Sequence, residues 1–142
     1  MHISPYKPEI RFSDIDALGH VNNAVYLSYF EQSRMHFFAQ LIGKKWDWNQ
    51  FGLLVAKNEI TYKIPILLND NVEIHVGCKH VGSKSFIIDY RIEINREGKA
   101  AVAAFGESVL VSFNHSLGQT SEIPEVWKNF FLQLKPATDK LG

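Results

Sequence analysis

Cysteine is nearly absent: Cys78 is the only one among 142 residues. A single cysteine excludes an internal disulfide and a cysteine-only zinc cage, and it suits a reducing cytoplasm. Net charge is absent too, since fifteen basic residues stand against fifteen acidic ones. Such a chain has no overall field to gather phosphate backbone or anionic lipid, so neither nucleic acid nor membrane is expected as a partner. No run approaches the roughly 20 apolar residues of a membrane span. The start, Met1 to Pro8, mixes Pro, Lys and Glu where an export signal carries an apolar stretch. Repeats, low-complexity tracts and internal linkers are also missing. What is there is ordinary: 46% hydrophobic and 21% charged residues, the balance of a globular chain. The expectation is one cytoplasmic domain over residues 1–142 with its own core, and zero net charge makes self-association unsurprising.

The first element, Glu9 to Ser13, is short and runs into an Asp-rich turn. Ala24 to Ile42 then reads as one helix free of Pro and Gly, with Gly43 as its stop. Val25, Tyr26, Leu27, Tyr29, Phe30, Met35, Phe37, Phe38, Leu41 and Ile42 cover most of its circumference, which predicts burial nearly all round. The rest is mostly strand. Ile60, Tyr62 and Ile64 alternate with polar residues until Pro65, and Val72, Ile74, Val76 and Cys78 share one face. A turn at Gly82-Ser83-Lys84 leads into the alternating run Phe86 to Ile94, which is a hairpin signal. Arg96-Glu97-Gly98-Lys99 introduces a last long strand from about Ala100 to Phe113. Its first half is poor in side-chain bulk and allows close approach of a neighbour. A terminal amphipathic helix is expected over about 122–135, with Pro124 near its start. One apolar helix followed by consecutive antiparallel strands predicts an α+β fold in which the sheet wraps the helix.

The densest polar stretch, Arg11 to Asn23, leads straight into the apolar helix. On one reading Asp14, Asp16, Asn22 and Asn23 are turn and N-cap residues, and Gly19 permits a tight bend. On the other, a buried helix start offers unpaired N–H groups and partial positive charge to a developing oxyanion. A carboxylate just upstream would then face the same spot as base or nucleophile. Those parts suffice to hydrolyse an activated acyl group such as a thioester without a metal.

The run from Asp14 to Tyr26, Asp-Ile-Asp-Ala-Leu-Gly-His-Val-Asn-Asn-Ala-Val-Tyr, is followed by Tyr29-Phe30-Glu31 and Arg34. Together they resemble the hotdog-fold acyl-CoA thioesterases of the 4-hydroxybenzoyl-CoA thioesterase type. Gly82-Ser83-Lys84-Ser85-Phe86 is similar to that family's third hairpin turn, and Val109 to Phe113 to its last strand. The resemblance spans most of residues 8–125. It implies a five-stranded antiparallel sheet wrapped around one long buried helix, hydrolysis of an acyl-CoA to acid and CoA, no cofactor, and a homodimer or homotetramer. It also implies Asp16 as the catalytic carboxylate, the Asn23 backbone N–H as the donor that polarises the thioester carbonyl, and Gly19 as the residue that turns the chain. His20, Asn22 and Tyr26 would line the same region. His20 stands where the aromatic-substrate branch often has an aliphatic residue; the aromatic-rich helix and the His-Val-Asn-Asn core favour medium to long aliphatic acyl groups over hydroxylated aromatic ones. The alternatives are a hotdog hydratase or dehydratase using Asp16 and His20 as an acid–base pair, and a non-catalytic acyl-CoA-binding module.

Other polar residues have plainer roles. Lys79, His80 and Lys84 flank a strand turn, where they would meet the phosphates of coenzyme A or simply be solvated. Glu31 is expected to pair with Arg34, three residues on. Cys78 reads as core, and with His75 or His80 it is too sparse a set for zinc. Trp46, Asp47 and Trp48 read as a surface loop capping the core.

Overall fold

The computed structural model describes residues 3–43 and 45–141. A short 3-10 turn, Phe12–Asp14, precedes the long helix α1, Val25–Leu41. Strands β1 (Gly52–Tyr62), β2 (Asn71–Val81), β3 (Ser85–Arg96), β4 (Lys99–Asn114) and β5 (Gln119–Thr120) follow. Helix α2, Glu125–Leu132, and a final 3-10 turn, Ala137–Leu141, end the chain. The sheet is antiparallel, in the order β1-β4-β3-β2, with the short β5 paired to β4. Helix α1 ends where expected, because Gly43 adopts φ +90°, which a side chain would resist.

The alternation read from the sequence holds through β2 and β3, where Val72, Ile74, Cys78, Phe86, Ile88, Tyr90, Ile92 and Ile94 are all buried. The small residues of β4 work as expected. Ala103 and Ala104 are fully buried, and a Cβ at Gly106 would collide with the Glu59 carbonyl of β1. Helix α2 buries Trp127 and Phe131 against Phe38 and Phe86, close to the second half of α1. The loop tryptophans close this cluster, their rings 5.0 Å (Trp46) and 5.7 Å (Trp48) from Trp127.

Beyond α2 the chain crosses β2 and lies on the sheet's outer face as a strap. Buried Asp89 accepts hydrogen bonds from the Ala137 and Thr138 backbone and from the Thr138 hydroxyl, at 2.7–3.0 Å. The Arg91 guanidinium donates to the Ala137 carbonyl. Gly77 makes the crossing possible, since a Cβ there would collide with the Ala137 nitrogen and the Lys135 carbonyl. The two sheet edges therefore differ. That of β2 is covered by a two-bond bridge from Tyr6 to Ile74 and by this crossing. No described strand pairs with the outer side of β1, where Leu54 is 43% and Val55 45% exposed.

The first element, Glu9 to Ser13, is a loop that runs into the 3-10 turn. Two expectations need correction. Strand β1 begins at Gly52, well before the alternation that starts near Ile60; Leu53 to Asn58 shows no two-residue alternation, and a bulge between Val55 and Lys57 shifts the register. Helix α1 is not buried all round: the sheet covers one face, while Leu27 and Met35 are 42% and 51% exposed on the other and polar Ser33 and Arg34 are buried. No helix among the described residues is long and apolar enough to cross a membrane.

Candidate active site

The loop before α1 is built from its own side chains. Asp14 accepts the Arg11 N–H at 2.9 Å, closing the 3-10 turn, and takes the Tyr29 hydroxyl at 2.9 Å. That bond ties the loop to the helix, and burial together with the Asp14 charge pushes the Tyr29 hydroxyl pKa upward. Residues 16–20 then fold back as a tight turn. The Asp16 N–H donates to the His20 carbonyl and the Gly19 N–H to the Asp16 carbonyl, at 3.0 and 2.9 Å. Gly19 holds φ +82°, a conformation that glycine adopts without penalty. The loop is fixed to the sheet side by the Val21 N–H on the Ile66 carbonyl, at 2.8 Å.

Asp16, Asn22 and Asn23 come together at the helix start. One Asp16 carboxylate oxygen accepts the Leu18 N–H at 2.9 Å, and the other faces the Asn22 amide at 3.4 Å. Asn22 also accepts the Ala24 N–H on its side-chain oxygen at 2.9 Å, so one side chain spans the carboxylate and the first helical turn. No described residue accepts the Asn23 N–H. From below, the Tyr62 hydroxyl donates to the Asn23 carbonyl at 3.1 Å. The helix start thus pairs a half-buried carboxylate with an open amide in a region of partial positive charge.

His20, Asn23 and Tyr26 line one small cavity of about 200 Å³ with Tyr62, Ile64 and Pro65. Tyr26 is buried and meets Tyr62 edge to face at 4.9 Å; burial raises the pKa of both phenols. The donors on the Asp16 carboxylate are Leu18 and Asn22, and the His20 ring is not among them. Lys84 is placed elsewhere. Tyr62, which supports Asn23, lies level with Ala104 and Ile92, whereas Lys84 adjoins Ser85 at the other end of β3, roughly 23 Å away along the strand. Lys79, beside the same turn, pairs with Glu107 at 3.6 Å.

The remaining residues sort as follows. Cys78 is core, its thiol pushed up to about 11 by burial, so it is a poor nucleophile near neutrality. The expected Glu31–Arg34 pair does not form. Arg34 turns under the helix to the Tyr90 hydroxyl at 3.0 Å, because Tyr90 and Ser108 offer buried acceptors there and Glu31 lies on the exposed side. Sequence reading missed that network. It also missed Glu73, His75 and Glu93 on the outer sheet face, whose ligand atoms lie within 4.8 Å of one another. The registers Glu73↔Glu93 and His75↔Arg91 bring them together, and no local spacing encodes that. Lys7 and Arg91 already neutralise those carboxylates, at 3.5 and 2.8 Å.

Comparison with known proteins gives the chain's family. A family model described as the thioesterase-like superfamily matches residues 10–131. The uncharacterised protein YsmA of Bacillus subtilis (strain 168) is 30% identical over 113 residues, 80% of this chain and 74% of its own length. The long-chain acyl-CoA thioesterase FadM of Escherichia coli (strain K12) is 27% identical over 97 residues, 68% of this chain and 74% of FadM. Among solved structures, a thioesterase from Thermus thermophilus complexed with coenzyme A and zinc is 36% identical. It superposes with a TM-score of 0.75 over 89% of this chain and 94% of that one.

Proposed function

The chain belongs to the thioesterase-like superfamily and is an acyl-CoA thioester hydrolase, and we propose that Asp16 is the carboxylate with which it works. The observation that carries this assignment is the Asn22 bridge. It holds the Asp16 carboxylate and the first turn of α1 in one unit, beside the open Asn23 amide. A thioester carbonyl set on the Asn23 N–H is polarised toward an oxyanion, and the helix-start field favours that charge. Asp16 then removes a proton from the attacking water, or itself attacks the carbonyl carbon and is released by water. Coenzyme A leaves as the thiolate. Gly19 shapes the turn, while His20, Asn22 and Tyr26 line the approach to the carbonyl. With Leu18 and Asn22 rather than the His20 ring on the Asp16 carboxylate, the geometry gives no support to a hydratase reading.

An aliphatic acyl chain suits the Tyr26 and Tyr62 walls of the neighbouring cavity, and the name of FadM points to long-chain substrates. A free-thiol assay across short, branched, long and aromatic acyl-CoAs tests the reaction and its preference together. In Asp16→Asn, turnover falls by about a hundredfold or more while substrate binding persists; near-native turnover refutes the assignment of Asp16.

The working unit is a homodimer, or a homotetramer built from it. The open β1 edge, with Leu54 and Val55 outside, is what proteins normally pair or cover. Antiparallel pairing of two β1 strands would set the Lys84 end of one copy beside the Asp16 end of its partner, where Lys84 meets coenzyme A phosphates. Sedimentation should give a dimer or a dimer of dimers; a fully active monomer contradicts the reading. One free buried thiol suits a cytoplasmic location.

A further inference from the structure

A second cleft, of about 300 Å³, opens along the second half of α1. Arg34, Glu31, Met35, Phe38, Trp48, Leu53, Val55 and Leu110 stand among its walls. Arg34 is the unusual member. The residue is only 8% exposed, yet no carboxylate among the described residues lies within 4.0 Å of it. Its Nη1 donates to the Tyr90 hydroxyl at 3.0 Å and, longer, to the Ser108 hydroxyl at 3.5 Å. Tyr90 passes its own proton to Ser108 at 2.9 Å, and Ser108 to the Asn58 side-chain oxygen at 2.6 Å. Every partner of the guanidinium is thus neutral, and its Nε and Nη2 N–H groups have no acceptor among the described residues and are not among the fully buried unpartnered atoms, so they are open to the cleft. Buried charges are as a rule paired, because the loss of hydration is otherwise uncompensated.

The rest of the cleft wall is mostly apolar, and its volume holds on the order of ten non-hydrogen atoms. We propose that this cleft binds a carboxylate carried on a short apolar body, with the Arg34 guanidinium as its counter-charge. The planar fork of Nε and Nη2 suits the two oxygens of a carboxylate, and the hydrocarbon packs on Met35, Phe38, Trp48, Leu53 and Leu110. Glu31, at the same cleft and on the exposed side of α1, opposes the ligand's charge and weakens binding. Two sources present this chemistry: a free carboxylic acid, or the far carboxylate of a dicarboxylic acyl-CoA. The second rests on the thioesterase reading and the first does not.

Calorimetric titration of the native protein with octanoate and with octanamide, its neutral counterpart of the same size, tests the site without any turnover. Octanoate should bind about ten- to a hundredfold more tightly, the scale of a charge-assisted bond. Arg34→Gln should erase that difference, and Arg34→Lys should restore part of it. Should the Arg34 variants not fold, the exposed Glu31→Gln still decides, because it must tighten octanoate and leave octanamide unmoved. Equal binding of the two probes, no binding of octanoate, or no effect of Glu31→Gln overturns the proposal. Suberoyl-CoA against octanoyl-CoA on the Asp16→Asn protein then separates the sources. A preference for suberoyl-CoA that Arg34→Gln removes assigns the site to the acyl group's far end, and octanoate binding without that preference assigns it to a free acid. Because octanoate carries no thioester, its result is independent of whether Asp16 is the reactive carboxylate.

Discussion

The two ends of α1 are built on opposite plans. At the C-terminal end Phe37 and Phe38 pack with Phe86, Trp127 and Phe131, ring centroids 4.4–6.5 Å apart, and Trp46 and Trp48 close the outside. At the N-terminal end the packing stops early: Asn22 and Asn23 are exposed, Asp16 is half-buried, and hydrogen bonds rather than rings fix the loop. The ring-packed end anchors the helix, while the other end presents an amide and a carboxylate on a hydrogen-bonded loop. On the proposed assignment of Asp16, rigidity and reactivity fall at different ends of one element.

The sharpest way to test that division is to damage each end and read both activity and stability. Asp16→Asn should give the largest effect, a loss of about a hundredfold or more in turnover, with a melting temperature close to native. Phe131→Ala should do the reverse, costing about 3–5 kcal/mol of stability while the fraction that remains folded turns over normally, as thermal melts and a parallel rate assay would show. Gly19→Ala lies between. Its φ of +82° costs a side chain roughly 1–2 kcal/mol, so a smaller loss of stability should come with a loss of turnover as the Asp16 turn relaxes.

The smallest effect concerns the support beneath the open end. Arg96 donates two bonds of 2.7 Å to Asp70 and one to the Pro65 carbonyl, and Asp70 accepts the Leu67 N–H. This frames the 65–70 loop whose Ile66 carbonyl holds Val21. The Arg96 hydrogen bonds hold the Asp70 carboxyl below its ordinary range. A carboxylate so shifted contributes stability above its ordinary pKa, and that contribution fades as pH falls through the lowered folded value. The melting temperature of Asp70→Asn should therefore lie below native at neutral pH, and the gap should narrow below about pH 4.

Much of this was legible in the chain. The Gly43 stop, the β2–β3 hairpin and the Asp16-to-Asn23 run depend on residues close in sequence, where turn chemistry and periodicity act directly. The first half of β1 was not legible, because a strand on an open edge needs no alternation. Nor was the fate of Arg34. Local spacing offered Glu31, but Tyr90 and Ser108, 56 and 74 positions away, supply the bonds. Lys84 has the same difficulty in another form: a motif fixes its turn but not which end of the sheet that turn occupies.

Gly77 carries a consequence for how this sequence can change over time. It sits in a regular strand, and what forbids a side chain there is the strap at Lys135 and Ala137, some sixty positions on. As long as the strap stays on Asp89, position 77 is closed to every other residue. If a lineage lost or rerouted its last residues, position 77 would be freed, and Asp89 would lose its three donors and its reason to stay acidic. Among descendants, the identity of residue 77 should therefore report whether the chain's end still crosses the sheet.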